Sequence, residues 1–464
     1  MKPARIAAVI GLLIALRFVV GAFLPLSADE AYYWLWSKHL ASGYFDHPPA
    51  IAFVIRFGTA IFGDTSLGVR FGGLLLSIPA SWFVWRSAAI LSGDETIAAR
   101  ACLFFNLTLM IAVETMAATP DAPSILTSAA FVFFLVKVQQ TQGGRWWLAA
   151  GIAAGLGLLA KYTAFFLGAG ALAWLFADKD ARRWLWSPWP YLGGGIAALI
   201  FAPNIFWNEA HGWMTFAFQF GRIGTGHLTA RFVAEFIGAQ LGLASPFIFL
   251  LAVAGLVQAR RDEKRILLAA LIWPSLLYFL FHALRDRVQG NWPCYLYPAF
   301  AILAAMAADG AGRWKVFARR LAAPVALLLL LIAYAQALFG VVPLGHGDLV
   351  ARLLGKGFAP MMAKARLNAP HAAILTSDYE TTAWTRFYTD APVIAVGEDY
   401  RYQTSPAPPS ALFGGPLLYV AEQRVDRHEW LAAHFASVVR LGEMGRYNVY
   451  RVQGLRGPVF GKAP

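Results

Sequence analysis

The chain has 464 residues, 58% of them hydrophobic and 14% charged, with 17 Trp, 35 Phe and a mean hydropathy of +0.54. A water-soluble domain of this size has no need of so much apolar sequence, so the composition indicates a polytopic membrane protein. The net charge of +13 would suit nucleic acid, but the basic residues fall in short loops between apolar runs, which excludes nucleic acid as a partner and leaves membrane lipid.

The first apolar run imitates a signal peptide, with Lys2 and Arg5 ahead of it and Leu26-Ser27-Ala28 behind it. It is long enough to span, Arg17 interrupts a would-be signal core, and further spans follow, so an uncleaved first helix is expected. Apolar runs near 6–26, 69–91, 97–115, 122–138, 146–160, 162–177, 189–207, 236–257, 266–284, 293–309 and 321–343 predict about eleven transmembrane helices. Every second loop is basic: Arg86 with Arg100, Lys137 with Arg145, Lys179 with Arg182 and Arg183, the run Arg260 to Arg265, and Arg313 to Arg320. That alternation places the N-terminus in the cytoplasm and the C-terminus on the outer face. Cys102 and Cys294 lie in or beside apolar runs and are too few for a disulfide framework or a Cys-based metal site.

The stretch from Asp29 to Pro49 does not span. Tyr32, Leu35, Trp36 and Leu40 recur at helical spacing, which predicts a helix lying at the interface, ended by Pro48-Pro49. It carries Asp29-Glu30 and Asp46-His47. The other outer loops collect Glu114, the turn Thr119-Pro120-Asp121-Ala122-Pro123, Lys161, the segment Asn204 to Arg231, and Arg285 to Pro293. Charges near span ends are costly unless paired or functional. For each a plainer role exists: Lys161 could snorkel, and Arg285 with Asp286 could be a local ion pair. After residue 343 the composition shifts. A helix from Asp348 to Leu367, strands at 372–376, 393–396 and 416–421, helices at 381–388 and 428–435, and a hairpin around Gly442 to Gly445 predict a small α/β domain over 344–464.

An outer-face carboxylate such as Asp29 can serve as general base toward an acceptor hydroxyl or amine. Lys161, Arg285 and Arg287 can hold an anionic leaving group such as a lipid phosphate. A site embedded at the membrane suggests that the donor is itself a lipid. Asp46-His47 with a histidine from the loop between Asn208 and His227 could bind a divalent metal, although no spacing here is diagnostic.

Asp29-Glu30 after the first span, Gly43-Tyr44-Phe45-Asp46-His47-Pro48-Pro49, Thr119 to Pro123, Gly157-Leu158-Leu159-Ala160-Lys161-Tyr162-Thr163 and Gln289-Gly290-Asn291-Trp292-Pro293 together resemble the bacterial branch of glycosyltransferase family 39. That family includes the dolichyl-phosphate-mannose–protein mannosyltransferases. The chain also resembles, more distantly, the aminoarabinose transferase that modifies lipid A. The likeness runs from the first span to about residue 300.

It implies a mainly α membrane protein of GT-C fold with a C-terminal periplasmic α/β domain. The implied reaction is inverting transfer of a sugar from a polyprenyl phosphate to an envelope lipid, glycan or protein at the outer face of the inner membrane. On this resemblance Asp29, Glu30 and Asp121 are the catalytic candidates, with Asp29 as base and Glu30 beside it. Tyr44, Asp46, His47, Lys161, Arg222, Arg285, Arg287 and Asn291 are the binding candidates, with Lys161 near the donor phosphate. The aminoarabinose transferase has Glu-Lys where this chain has Asp46-His47, and a histidine at the position that aligns with Gln219. The chain therefore departs from the pattern of that enzyme's metal site, although His211 or His227 could supply the missing ligand, so a divalent metal stays open and no cofactor is assigned. A lipid-sugar flippase or transporter is the rival class, but such proteins place ionisable groups near the midplane of repeated halves, and no repeat is seen here. A non-catalytic envelope-assembly protein is the third reading, against which the Asp-Glu pair argues.

Overall fold

The computed structural model describes residues 2–221, 226–396, 401 and 409–457. Its helices are α1 (Pro3–Phe23), α2 (Ala28–Lys38), α3 (Ala50–Phe62), α4 (Ser66–Ser92), α5 (Glu95–Leu107), α6 (Leu109–Glu114), α7 (Asp121–Thr141), α8 (Arg145–Ala160), α9 (Phe165–Ala177), α10 (Pro188–Ala210) and α11 (Met214–Gly221). They continue with α12 (Arg231–Ala244), α13 (Pro246–Gln258), α14 (Glu263–Ala283), α15 (Tyr297–Ala307), α16 (Arg313–Phe339), α17 (Leu349–Leu353), α18 (Phe358–Leu367), α19 (Tyr379–Tyr388) and α20 (His428–His434).

Among the described residues six helices are long and apolar enough to cross a bilayer: α1, α4, α7, α10, α14 and α16. The remaining expected spans contain helices that are short or broken, so the count of about eleven is not reached by length. Two expected spans are broken for visible reasons. The run 97–115 divides at Thr108, whose hydroxyl caps α6 by accepting from Ile111 N. The run 236–257 divides at Ser245, which adopts φ 70° before Pro246, and α12 and α13 meet at 110°. Pro246 cannot donate into a continued helix, so the chain turns there. Between α8 and α9, Lys161 is extended at φ −157°, ψ 134°.

After α16 the strands β1 (Ile374–Thr376), β2 (Val393–Ala395), β3 (Leu417–Glu422), β4 (Phe435–Met444) and β5 (Tyr447–Leu455) form one sheet in the order β2-β1-β3-β5-β4. β1 runs parallel to β2 and β3, while β5 is antiparallel to β3 and β4. The expected helix 348–367 is split into α17 and α18, because Gly355 and Gly357 take positive φ.

The sheet-bearing part does not stand apart from the membrane helices. Leu26, Tyr32, Trp36 and Ile51 share a buried core with Phe358, Trp384, Leu418 and Val449. α19 is clamped onto the entry to α2: Trp384 Nε1 donates to Leu26 O at 3.0 Å, Leu26 N donates to the Tyr388 hydroxyl at 3.1 Å, and Phe387 packs edge-on against Trp34 at 5.0 Å.

Candidate active site

α2 starts with a capping box, in which the Ser27 hydroxyl accepts from Glu30 N and the Glu30 carboxylate accepts from Ser27 N. That fixes the direction in which Asp29, one residue earlier, leaves the helix. α2 stops at Lys38, so Leu40 lies beyond the predicted helical face. The following loop is held from the other side of the molecule. Gly43 meets Trp207 and Asn204 so closely that an added Cβ would lie 2.4 Å from the indole. Asn204 donates to Ser42 O at 2.8 Å, Thr215 donates to Tyr44 O at 2.7 Å, and Gln219 donates to Asp46 O. α10 and α11 therefore place Asp46 and His47.

A cavity of about 550 Å³ opens between these elements. Asp29, Asp46, His47, Asp121, Lys161 and Asn291, all expected from the sequence, line it. Lys161 extends from the break after α8 and meets Asp121, in the first turn of α7, at 2.6 Å. The other Asp121 oxygen accepts from Asn291 Nδ2 at 2.9 Å, and Cys294 Sγ donates to Asp121 Oδ1 at 2.8 Å. Asp121, Asn291 and Cys294 thus fix one cation at the cavity wall. Burial pushes Lys161 down, but Asp121 together with Cys294 and Glu114 outweighs it, and the ammonium is held above its ordinary value.

Asp29 is open to the cavity and yet densely surrounded by protein. The dense surroundings decide its titration: burial pushes the carboxyl up, the Tyr379 hydroxyl and Arg401 pull it down, and Glu30 and Asp121 push it up again, leaving it above the ordinary aspartate value. The Tyr379 hydroxyl donates to Asp29 Oδ1 at 3.3 Å. Arg401 pairs with Asp46 at 3.0 Å and lies over the Tyr379 ring at 4.8 Å.

Several expected site residues sit elsewhere. Glu30, expected beside the base, is 1% exposed and turned away from the cavity. Its carboxylate accepts from Arg70 Nε and Nη2, both at 2.6 Å, and from Ala118 N at 3.1 Å. Tyr44 is fully buried, stacked on Trp36 at 4.2 Å, with its hydroxyl bonded to the backbone of Trp36 and His39, so it shapes the loop and does not border the cavity. Arg285 and Arg287 are exposed and do not line it; Arg287 instead pairs with Glu235 at 2.9 Å. Arg222 falls outside the described residues.

His211 stacks on Trp207 at 4.0 Å, away from the cavity. Among the described residues no three His, Cys, Asp or Glu side chains converge as a metal would require, and Asp46 is engaged by Arg401. Among the described residues the cavity therefore offers no set of side chains that fits a divalent metal.

Tyr33, His282, Trp292, Tyr379 and Arg401 line the cavity without having been singled out from the sequence. Trp292 belongs to the Gln289 to Pro293 motif and could have been found there. Tyr379 and Arg401 come from the part after α16, where no local pattern marks them. The remaining lining is largely aromatic, including Phe165, Phe166, Phe201, Phe216 and Tyr278.

The family described as dolichyl-phosphate-mannose-protein mannosyltransferase matches residues 46–207. A lipid A galacturonosyltransferase, RgtD, of Rhizobium johnstonii is 27% identical over 405 residues, spanning 82% of each chain. The undecaprenyl phosphate-alpha-4-amino-4-deoxy-L-arabinose arabinosyl transferase of Erwinia tasmaniensis is 24% identical over 66% of this chain and 60% of its own. The crystal structure of ArnT from Cupriavidus metallidurans bound to undecaprenyl phosphate superimposes with a TM-score of 0.69 at 17% identity, covering 99% of this chain and 100% of that one. The chain is thus similar to the glycosyltransferase 39 group and to ArnT, as the sequence motifs indicated, and its fold is the ArnT-like GT-C fold.

Proposed function

We propose that this protein is an inverting glycosyltransferase that moves a sugar from a polyprenyl phosphate to a lipid A-type glycolipid. The observation that carries the reading is a single cavity holding an open carboxylate, Asp29, and a fixed cation, Lys161, with aromatic walls suited to a lipid. The acceptor hydroxyl gives its proton to Asp29 as its oxygen bonds to the anomeric carbon. The bond from that carbon to the phosphate oxygen breaks on the opposite side, and its electron pair leaves with the polyprenyl phosphate, whose negative charge Lys161 meets. One displacement inverts the anomeric centre. The names of the curated relatives support donor and acceptor class, and a cavity lined mostly by residues of the 1–343 part supports that part as the transferase, with Tyr379 and Arg401 of the periplasmic 344–464 part adding to one wall.

The test uses purified full-length protein, a synthetic polyprenyl-phosphate sugar labelled in the sugar, and lipid A. The expected result is label in lipid A with equimolar release of polyprenyl phosphate. Label crossing reconstituted vesicles without any new glycosidic bond would make the protein a transporter instead. Reporter fusions after Arg265 and after Gly347 should read cytoplasmic and periplasmic respectively, and the reverse would move the site to the wrong side for an envelope acceptor.

Two further results follow from the geometry. Lys161→Met should raise donor KM, and Arg287→Ala, which touches only surface partners, should leave donor KM and thermal stability at wild-type values; steady-state kinetics in detergent check both. Because the base must be ionised and Asp29 titrates above the ordinary aspartate value, kcat/KM should rise with pH through an apparent pKa above 3.8.

A further inference from the structure

The sheet-bearing part after α16 contributes directly to the cavity, and one contact carries a specific consequence. Tyr379 is the first residue of α19, and Asp378 caps that helix by accepting from Thr381 N at 2.7 Å. α19 is anchored on α2 through Trp384, Phe387 and Tyr388, so the start of α19 has a fixed position relative to Asp29. The phenol ring is itself held, with Tyr32 edge-on at 6.1 Å and the Arg401 guanidinium over it at 4.8 Å. Its hydroxyl donates to Asp29 Oδ1. Among the described residues Asp29 Oδ2 has no protein hydrogen-bond partner.

We infer that Tyr379 is a positioning residue for Asp29, occupying Oδ1 so that Oδ2 is turned to the acceptor's hydroxyl. This rests on the transferase reading above. The torsion that rotates a carboxylate is soft and roughly two-fold, so without an external donor the two oxygens exchange freely and the base has no fixed direction. Fixing it costs little when the donor is already rigid, and orientation of a base is worth orders of magnitude in rate. A phenol donating to the carboxylate also favours its ionised form. The other charged or titratable groups around Asp29 are Arg401 and Tyr33, Glu30 next to it on α2, Asp46, His47, Asp121, Lys161 and His282 along the same cavity, Glu114 at the end of α6, and Glu380 on α19. Of these, Arg401 acts in the same direction as Tyr379 on Asp29, and Glu30 and Asp121 act against it.

The experiment compares full-length wild type, Tyr379→Phe, Tyr379→His, Asp29→Asn and the Tyr379→Phe/Asp29→Asn double variant, assayed with the synthetic donor and lipid A, with thermal unfolding measured alongside. Tyr379→Phe should lower kcat roughly 10-fold, the size of one hydrogen bond to a charged group, with donor KM unchanged. The acid limb of its kcat/KM profile should move to higher pH, since a donor that favoured the carboxylate is gone; a residue that only packed α19 onto α2 would not move that limb. Tyr379→His, which keeps a ring donor, should recover part of the lost kcat. In the Asp29→Asn background the Phe substitution should add no further loss. Wild-type kcat and an unmoved acid limb in folded Tyr379→Phe, beside an inactive Asp29→Asn, would overturn the positioning role and leave the transferase reading standing. Full activity in Asp29→Asn would overturn the reading of Asp29 as base, and the positioning role with it.

Discussion

Asp29→Asn is expected to lower product formation about 10²–10⁴-fold, the usual worth of general-base help, while the protein still folds. The substitution keeps shape and polarity and removes only the carboxylate's capacity to take a proton. Stability should be equal or higher. A carboxyl whose folded pKa is raised adds stability below its unfolded pKa and loses it as pH rises through the folded value, so the charged form burdens the fold at neutral pH. Asn removes that burden and keeps an oxygen for the Tyr379 hydroxyl. Product formation from labelled donor, with thermal unfolding in detergent, reads both quantities. A well-folded Asp29→Asn protein with full turnover would take Asp29 out of the chemistry and leave Asp46 and Asp121 as cavity carboxylates to be tried.

For Glu30→Gln the loss should appear in the fold first. Glu30 and Arg70 are each about 1% exposed, and Arg70 also donates to Gly21 O, Leu24 O and Pro25 O at 2.7, 2.7 and 2.8 Å. One guanidinium thereby closes the end of α1, the entry to α2 and, through Glu30, the turn at Ala118. Removing the carboxylate's charge strands Arg70 inside the protein, and breaking a buried pair from one side costs about 3–5 kcal/mol. Burial pushes the Glu30 carboxyl up, but Arg70 and the backbone donors of Ser27 and Ala118 outweigh it and hold the group below its ordinary value. Its stabilisation is therefore present above the unfolded glutamate pKa of 4.5 and disappears as pH falls through the lowered folded value. Unfolding temperature against pH, wild type beside Glu30→Gln, is the measurement. An unchanged unfolding temperature with activity alone lost would return Glu30 to the chemistry.

These two neighbours show where reading the sequence stops. Asp29 and Glu30 are chemically alike, adjacent and equally placed after the first span, and the local hint is the Ser27-x-x-Glu30 spacing of a capping box, which ties Glu30 back to Ser27 without placing it against Arg70. The decision comes from Arg70 on α4, reached through folding. The apolar runs announced helices in every expected place, because apolar length and period are local properties. They did not announce the 110° turn at Ser245, where a seryl-prolyl step sits inside otherwise continuous apolar sequence. Tyr44 lay in a motif and was expected at the substrate, yet its ring is spent on Trp36. Lys161 was legible because a charge inside apolar sequence is rare enough to mean something by itself, and Asp121 because it sits in the Thr119 to Pro123 motif. Tyr379 and Arg401 were not, since in a polar segment a tyrosine and an arginine are unremarkable until the chain brings them to Asp29.

The clamp of α19 on α2 also sets a clock. The Asp29 carboxylate and the Tyr379 hydroxyl are 350 positions apart along the chain. At a synthesis rate of about 5–20 residues per second, the first partner waits roughly 20–70 s for the second. Through that interval the early helices are already in the bilayer with Leu26 and Trp34 uncovered on the side that α19 will occupy. A chain cut short by a premature stop or by proteolysis would keep its membrane helices and never complete the wall around its carboxylate. Ribosome-bound intermediates of this protein should therefore insert before they can turn over, gaining activity only when the final hundred or so residues have been made and docked.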